Sequence, residues 1–234
     1  LAARRALPSA PTWSFPPRPH TSHVRQVLAQ PGQITVCVEA GALVRSLDGG
    51  ETWIDRTPDG PRDTHTLRAH PAAPGRLYSA AGDGYGRTHG YTMTASGYNE
   101  SADGGATWTW VNRGLGDLYG WGLAIDPGDP DVMVTSVSES PQLAHNPHAA
   151  RSTVYRRAAG GDWTEVRDGL PDPVGCVAAV LAANPAEPGV FYAATNRGGA
   201  YRSPDAGRTW SRQDLAWPPA YERERVADLL VVPA

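Results

Sequence analysis

Apolar residues fall in short runs along this chain, and each run stops at a turn signal before it reaches helical length. A run ending in Pro opens each unit, at residues 24–31, 66–71, 122–127, 177–185 and 226–233. After a turn comes a second β-rich run, at 34–39, 77–81, 132–137 and 190–195. A third strand is expected to lead into a polar turn, and a fourth to leave that turn through a Trp. Short runs rich in β-branched residues and bounded by Gly and Pro predict strands. Four such strands in a unit of roughly 40–55 residues predict the blade of a propeller.

The polar turn itself repeats. Ser46-Leu47-Asp48-Gly49-Gly50-Glu51-Thr52-Trp53 recurs as Ser101-Ala102-Asp103-Gly104-Gly105-Ala106-Thr107-Trp108 and as Ser203-Pro204-Asp205-Ala206-Gly207-Arg208-Thr209-Trp210. A worn copy, Ala158-Ala159-Gly160-Gly161-Asp162-Trp163, lies between them, so the Trp positions step by 55, 55 and 47. A fainter copy opens the chain, where Thr12-Trp13 aligns with Thr52-Trp53. Gly permits the positive φ of a tight hairpin, and the Asp carboxylate can accept amide hydrogens of its own turn. Thr favours the strand that follows, and Trp is expected to pack between neighbouring blades.

The pattern resembles the Asp-box (BNR) repeat superfamily, which includes sialidases, some xyloglucan-cleaving glycosidases, sortilin-type receptors and a photosystem assembly factor. The resemblance implies an all-β fold: a β-propeller of four-stranded antiparallel blades, about four full blades plus parts of a fifth, within a larger ring. It also implies that the boxes lie away from any active site. Residues 1–234 are read as one domain, with blades near 20–60, 63–115, 118–170 and 174–216. Residues 1–17 and 221–234 are expected to contribute to a shared or incomplete blade, with a lone strand a at 226–233. The first residue is Leu, so a preceding native segment is expected; the reading leans to a bacterial, cytoplasmic protein without fixing its location.

Composition narrows the partners. Hydrophobic residues make up 40% and charged residues 19%, a globular balance, and 26 Gly with 22 Pro suit many tight turns. A net charge of −3 gives no reason to expect nucleic acid or an anionic membrane. No apolar run approaches the roughly 20 residues of a membrane span. Cys37 and Cys176 both fall in predicted strands and are read as two buried free thiols.

With the strands of a blade lettered a to d outward from the axis, the d–a and b–c loops share one face. The a–b turns and the polar turns share the other. The a–b turns are short and stereotyped, as in Pro127-Gly128-Asp129-Pro130, and His70 matches Asp126 and Asn184 before their Pro, a structural position. The loop face is irregular and reactive. Its d–a segments carry His20, His23, Arg25, Asp63, His65, Arg68, Tyr119, Trp121, Tyr221, Glu222, Arg223 and Arg225. Its b–c segments carry Glu39, Asp83, Tyr85, Glu139, Asn196 and Arg197. Two long b–c insertions, 84–99 with His89 and Tyr91 and 138–152 with His145 and His148, belong to this face. Long loops on a rigid scaffold are where binding residues usually sit.

Three chemistries fit these residues. The favoured one is a binding platform for a carbohydrate, peptide or protein ligand at the channel mouth. Its site would be His20, His23, Arg25, His65, Arg68, Tyr85, Tyr119, Trp121, Asn196, Arg197, Arg223 and Arg225. The alternative is an exo-acting, sialidase-like glycoside hydrolase with Glu39, Asp83 and Glu222 as its carboxylates beside an Arg cluster. No Arg-Ile-Pro type signature of sialidases is present. The third is a metal site drawn from His20, His23 and His65 with Glu39 and Asp83. On an extended strand residues three apart point to opposite faces, so His20 and His23 should diverge. Hydrogen-bonded histidines are therefore preferred, and no cofactor is expected. Open blade edges would allow self-association.

Overall fold

A computed structural model of the chain describes residues 6–13, 15, 21–84, 96–220 and 224–232. Of the expected site residues, His20, Tyr85, Glu222 and Arg223 lie outside these, as do His89 and Tyr91. The strands are β1 (Val24–Gln30), β2 (Gln33–Val38), β3 (Ala42–Ser46), β4 (Thr64–His70), β5 (Ala73–Ala81), β6 (Tyr98–Ser101) and β7 (Thr109–Trp110). They continue as β8 (Tyr119–Asp126), β9 (Asp129–Ser138), β10 (Ser152–Arg157), β11 (Thr164–Val166), β12 (Val180–Ala183), β13 (Phe191–Ala194), β14 (Ala200–Ser203) and β15 (Ser211–Arg212). A short helix, α1 (Pro141–His145), sits in the insertion after β9.

Consecutive strands pair antiparallel into sheets β1–β3, β4–β7, β8–β11 and β12–β15. The first sheet has three strands, and a single bridge between Arg45 and Ile54 stands where its fourth would run. The inner strands pack side by side, β1 on β4, β4 on β8 and β8 on β12. Among the described residues no pairing joins the first sheet to the fourth. The molecule is thus a partial, unclosed β-propeller.

Each polar turn folds on its own side chains. Ser46 donates from its hydroxyl to Asp48 Oδ1 (2.8 Å) and accepts from Gly50 N–H (2.8 Å). Asp48 Oδ1 also accepts from Thr52 N–H (2.9 Å), and the Thr52 hydroxyl donates to the same carboxylate. The turns at Asp103 and Asp205 make the same set of bonds. In the last, Ala206 takes the positive φ (62°) that Gly takes at positions 49 and 104.

The Trp that follows fills the groove to the preceding sheet. Trp108 packs with Cys37 and Leu43 of the first sheet and with Leu67 and Leu77 of the second. Trp163 packs with Tyr78 and Tyr98, and Trp210 with Val134 and Val154. Trp13 is buried against Val38 and Val44, closing the outer side of the first sheet. His70 is also structural: its Nε2 contacts the Asp126 carbonyl at 2.9 Å.

Three expectations need correction. Residues 226–232 form no strand; Val226 N–H reaches the Thr195 carbonyl (3.1 Å) beside an isolated Asn196–Arg225 bridge. Leu230 is 84% and Val232 69% exposed, and among the described residues no strand pairs with that segment. The fourth inner strand begins at Val180 rather than 177, because Val177 and Ala178 direct their amides to Asn196 Oδ1 (3.2 Å) and the Ala144 carbonyl (2.8 Å). For the same reason Cys176 lies outside any strand and is half-buried, while Cys37 is buried in β2.

Candidate functional site

The site begins with irregularities in the inner strands. In β1 the register with β2 skips between Val24 and Gln26, leaving Arg25 unpaired. In β4 it skips between Thr64 and Thr66, leaving His65 unpaired. In β8, Gly120 pairs Val137 and Leu123 pairs Thr135, so Trp121 and Gly122 oppose one residue. A β-bulge bends its strand and re-aims the extra side chain. Here three bulges in successive blades aim a cation, an imidazole and an indole at one mouth.

These side chains meet. The Arg25 guanidinium lies 4.4 Å from the Trp121 ring centroid, a cation–π distance. The Trp121 and His65 rings are 4.6 Å apart, and His145 from α1 sits edge-on to Trp121 at 4.2 Å. The Tyr119 hydroxyl is 3.1 Å from His145 Nε2, and Arg225 Nη1 is 3.4 Å from His145 Nδ1. Burial first, then the Arg225 charge, lowers the His145 pKa to about 4, so this imidazole is neutral at physiological pH. Arg25, Arg68, Trp121 and Asp228 help to line an open cavity of about 320 Å³. Burial lowers the Arg68 pKa, and the nearby Asp228 carboxylate opposes that shift.

Beneath the mouth lies a buried polar network. His65 Nδ1 donates to the Gly120 carbonyl at 2.6 Å, and its Nε2 faces Asp63 Oδ2 and the Tyr119 hydroxyl, each at 3.5 Å. Asp63 Oδ1 accepts from Ala40 N–H at 2.8 Å. Glu39 Oε2 pairs with His23 Nε2 at 2.6 Å. One donor atom each from Glu39, Asp63 and His65 lies within 4.8 Å of the others, spacing that could hold a cation. Burial disfavours imidazolium at His65, but the Asp63 charge and hydrogen bond outweigh it and raise the pKa. Asp63 is correspondingly held low by His65 despite its own burial. Burial, then Asp63, raises Tyr119.

Asp83 is fully buried and accepts from Arg62 N–H at 2.9 Å, while its Oδ1 has no hydrogen-bond partner. Burial, then the Asp63 charge, pushes its carboxyl up to about 7. Gly82 permits the close approach here: a Cβ at that position would lie 2.4 Å from Asp63 Oδ2 and 2.8 Å from His65 Cε1.

No protein-family model matches the sequence, and no curated protein matches it. Solved structures do resemble it in three dimensions. An ancestral GH74 enzyme superposes with a TM-score of 0.59 at 14% identity, over 81% of this chain and 24% of that one. The GH74 xyloglucanase from Xanthomonas campestris gives 0.59 at 19% identity, over 82% and 30%. The Niastella koreensis GH74 enzyme gives 0.56 at 16% identity, over 82% and 24%. The likeness is one of fold. The chain spans a quarter to a third of the length of these structures, at identities that speak to the propeller architecture alone.

Of the expected site residues, His23, Arg25, Glu39, His65, Tyr119, Trp121 and Arg225 gather in this mouth and the network beneath it, and Arg68 lines its cavity. Asp83 lies below, without solvent contact. Asn196 and Arg197 do not join them; they line a separate hollow of about 730 Å³ with His148, Arg212 and Trp217. Asn196 is occupied structurally, donating from Nδ2 to the Gly175 carbonyl (3.0 Å) and accepting from Val177 N–H. Glu139 is exposed, outside the cluster. The sequence places Asp63 and His145 on this face but not among its site residues, yet both are central. One signal was available: Arg25, His65 and Trp121 each stand six residues before the Pro closing their inner strand.

Proposed function

We propose that the chain is an Asp-box type propeller that binds a ligand through the mouth built by Arg25, Trp121, Tyr119 and His145. The single observation that carries this reading is the convergence of three successive inner-strand bulges on one aromatic and cationic surface. Trp, Tyr and Arg dominate binding energetics because they combine large contact area with directional donors. An indole face flanked by a guanidinium and a neutral imidazole suits a carbohydrate ring or a peptide side chain bearing a carboxylate. Binding is favoured over hydrolysis because the two candidate acids among the described residues, Asp83 and Glu39, are enclosed. A glycosidase needs two carboxyl groups beside the scissile bond, whereas Asp83 has no exposure and Glu39 only 8%.

The test is a glycan and peptide array probed with the chain, followed by calorimetry on the strongest ligand. Trp121→Ala and Arg25→Ala should each weaken binding by at least about tenfold, the scale of an interface hot spot. Asn196→Ala, in the other hollow, should change little. Wild-type affinity in Trp121→Ala would reject this mouth. Aryl-glycoside turnover abolished by Glu39→Gln would replace binding with hydrolysis.

A further inference from the structure

We propose that Glu39, Asp63 and His65 form a site for one divalent transition-metal ion. The argument starts from the tautomer. His65 commits its Nδ1–H to the Gly120 carbonyl at 2.6 Å. In the neutral ring Nε2 is therefore a lone pair, and it faces another acceptor, Asp63 Oδ2, at 3.5 Å. The Nε2 lone pair and Asp63 Oδ2 thus face each other at a residue only 3% exposed, a pair that one cation, a proton or a metal ion, can join. The separation is long for a hydrogen bond. It fits two ligands of one ion: with metal–ligand bonds of about 2.1 Å, tetrahedral neighbours stand about 3.4 Å apart.

The ligands are also held from behind. Metal-bound histidines usually donate their other ring N–H to a carbonyl or carboxylate, which fixes the ring; Gly120 does so here. Asp63 Oδ1 is held by Ala40 N–H at 2.8 Å, leaving Oδ2 toward His65. Glu39 is fixed through His23 at 2.6 Å, and its ligating oxygen stays within 4.8 Å of the other two donors.

A separate observation points the same way. Asp83 is completely buried, with one oxygen that finds no hydrogen-bond partner. Gly82 keeps open the space beside Asp63 Oδ2, where a Cβ would come within 2.4 Å. Mixed imidazole and carboxylate donors select Zn²⁺ or Mn²⁺ over Ca²⁺ and Mg²⁺, which take oxygen ligands.

The test uses the whole chain after dialysis against EDTA, titrated calorimetrically with ZnCl₂, MnCl₂ and CaCl₂ at neutral pH. The expected result is one equivalent of Zn²⁺ or Mn²⁺ bound in preference to Ca²⁺. Binding should weaken by about tenfold or more in Asp63→Asn and Glu39→Gln, and be unchanged in the exposed control His148→Ala. Should the variants fail to fold, pulsed EPR of the Mn²⁺-loaded wild type gives the answer, with coupling to an imidazole nitrogen expected. Absence of stoichiometric binding, binding indifferent to both carboxylate variants, or a manganese spectrum without nitrogen coupling would each overturn the proposal. His65 and Asp63 would then share only a proton.

Discussion

The joints between blades make a sharp quantitative prediction at Gly169. Its φ is +76°, and a Cβ there would lie 1.6 Å from the Trp210 carbonyl oxygen. Trp210 N–H bonds the Asp168 carbonyl at 3.0 Å, so the obstacle is anchored backbone rather than the end of a mobile side chain. Gly160 supplies the control, with φ +67° and nothing within 4 Å of the same construction. Gly160→Ala therefore meets only the left-handed backbone penalty, about 1–2 kcal/mol. Gly169→Ala meets that and must also push neighbouring blades apart, adding about 1–3 kcal/mol of overpacking. At about 2–4 °C per kcal/mol for a chain of this size, the two variants should differ in Tm by about 2–12 °C. Urea titrations with matching slopes would give the same ordering. Gly114→Ala should follow Gly169→Ala, since its Cβ would lie 2.0 Å from the Trp163 carbonyl oxygen. Equal midpoints for Gly160→Ala and Gly169→Ala would refute this account of how the blades meet.

Other outcomes follow from buried charge and from titration. Glu100 accepts from Arg157 (2.5 Å), Arg76 (3.1 Å) and the Tyr98 hydroxyl (2.8 Å) between the second and third blades. Glu100→Ala should lose about 3–5 kcal/mol in urea denaturation because buried Arg157 loses its carboxylate partner, while Arg76 keeps Asp131. Asp162→Ala, which breaks the exposed pair with Arg113, should lose under about 1 kcal/mol. Asp48 is held near a pKa of about 2 chiefly by the Thr52 hydroxyl, and Asp103 near about 2 chiefly by the Thr107 amide. Because folding depresses these values, their stabilisation is present above about pH 4 and fades as pH falls toward 2. An Asp48→Asn, Asp103→Asn double variant should show a flatter Tm profile in that window, and a parallel profile would count against the turn bonds. Burial pushes the Cys37 thiol up to about 12; native protein should therefore show slow labelling at Cys37 and faster labelling at half-buried Cys176, with both rapid in urea.

The legible portion of this fold is the local one. Every bond of the polar turn at Ser46–Thr52 closes within a few residues, so the same letters give the same geometry wherever they recur. The worn turn shows the limit of that rule. Residues 158–163 lack the Ser and Thr, and Trp163 instead donates its indole N–H to the Val111 carbonyl (2.8 Å), a contact outside its own turn. The apolar pattern does not show the bulges, because an extra residue in a ladder changes pairing without changing that pattern; only the shared spacing to Pro31, Pro71 and Pro127 marks them. Nor could sequence distance show that His145, carried on a helix capped by Ser140, would reach Trp121. The run at 226–233 reads as a strand from its composition, but among the described residues no strand pairs with 226–232.

What brings the bulges to one mouth is the stitching between inner strands beside them. Gln26 follows Arg25, and its side chain donates to the Leu67 carbonyl (2.8 Å) and accepts from Leu67 N–H (2.9 Å). Thr66 follows His65, and its hydroxyl donates to the carbonyl of Trp121 itself (2.7 Å). Gly122 follows Trp121, and its N–H reaches Ser136, whose hydroxyl donates to the Ala179 carbonyl of the next blade (2.9 and 2.7 Å). In each case a group next to the bulge is bonded, directly or through one hydroxyl, to the neighbouring inner strand, so buried backbone left by the irregular ladder stays satisfied. These bonds fix blade-to-blade register at the height where Arg25, His65 and Trp121 project. Site geometry and blade docking are thus one structural feature. A substitution such as Thr66→Val, nearly equal in volume, should therefore disturb ligand affinity at Trp121 more than it disturbs global stability.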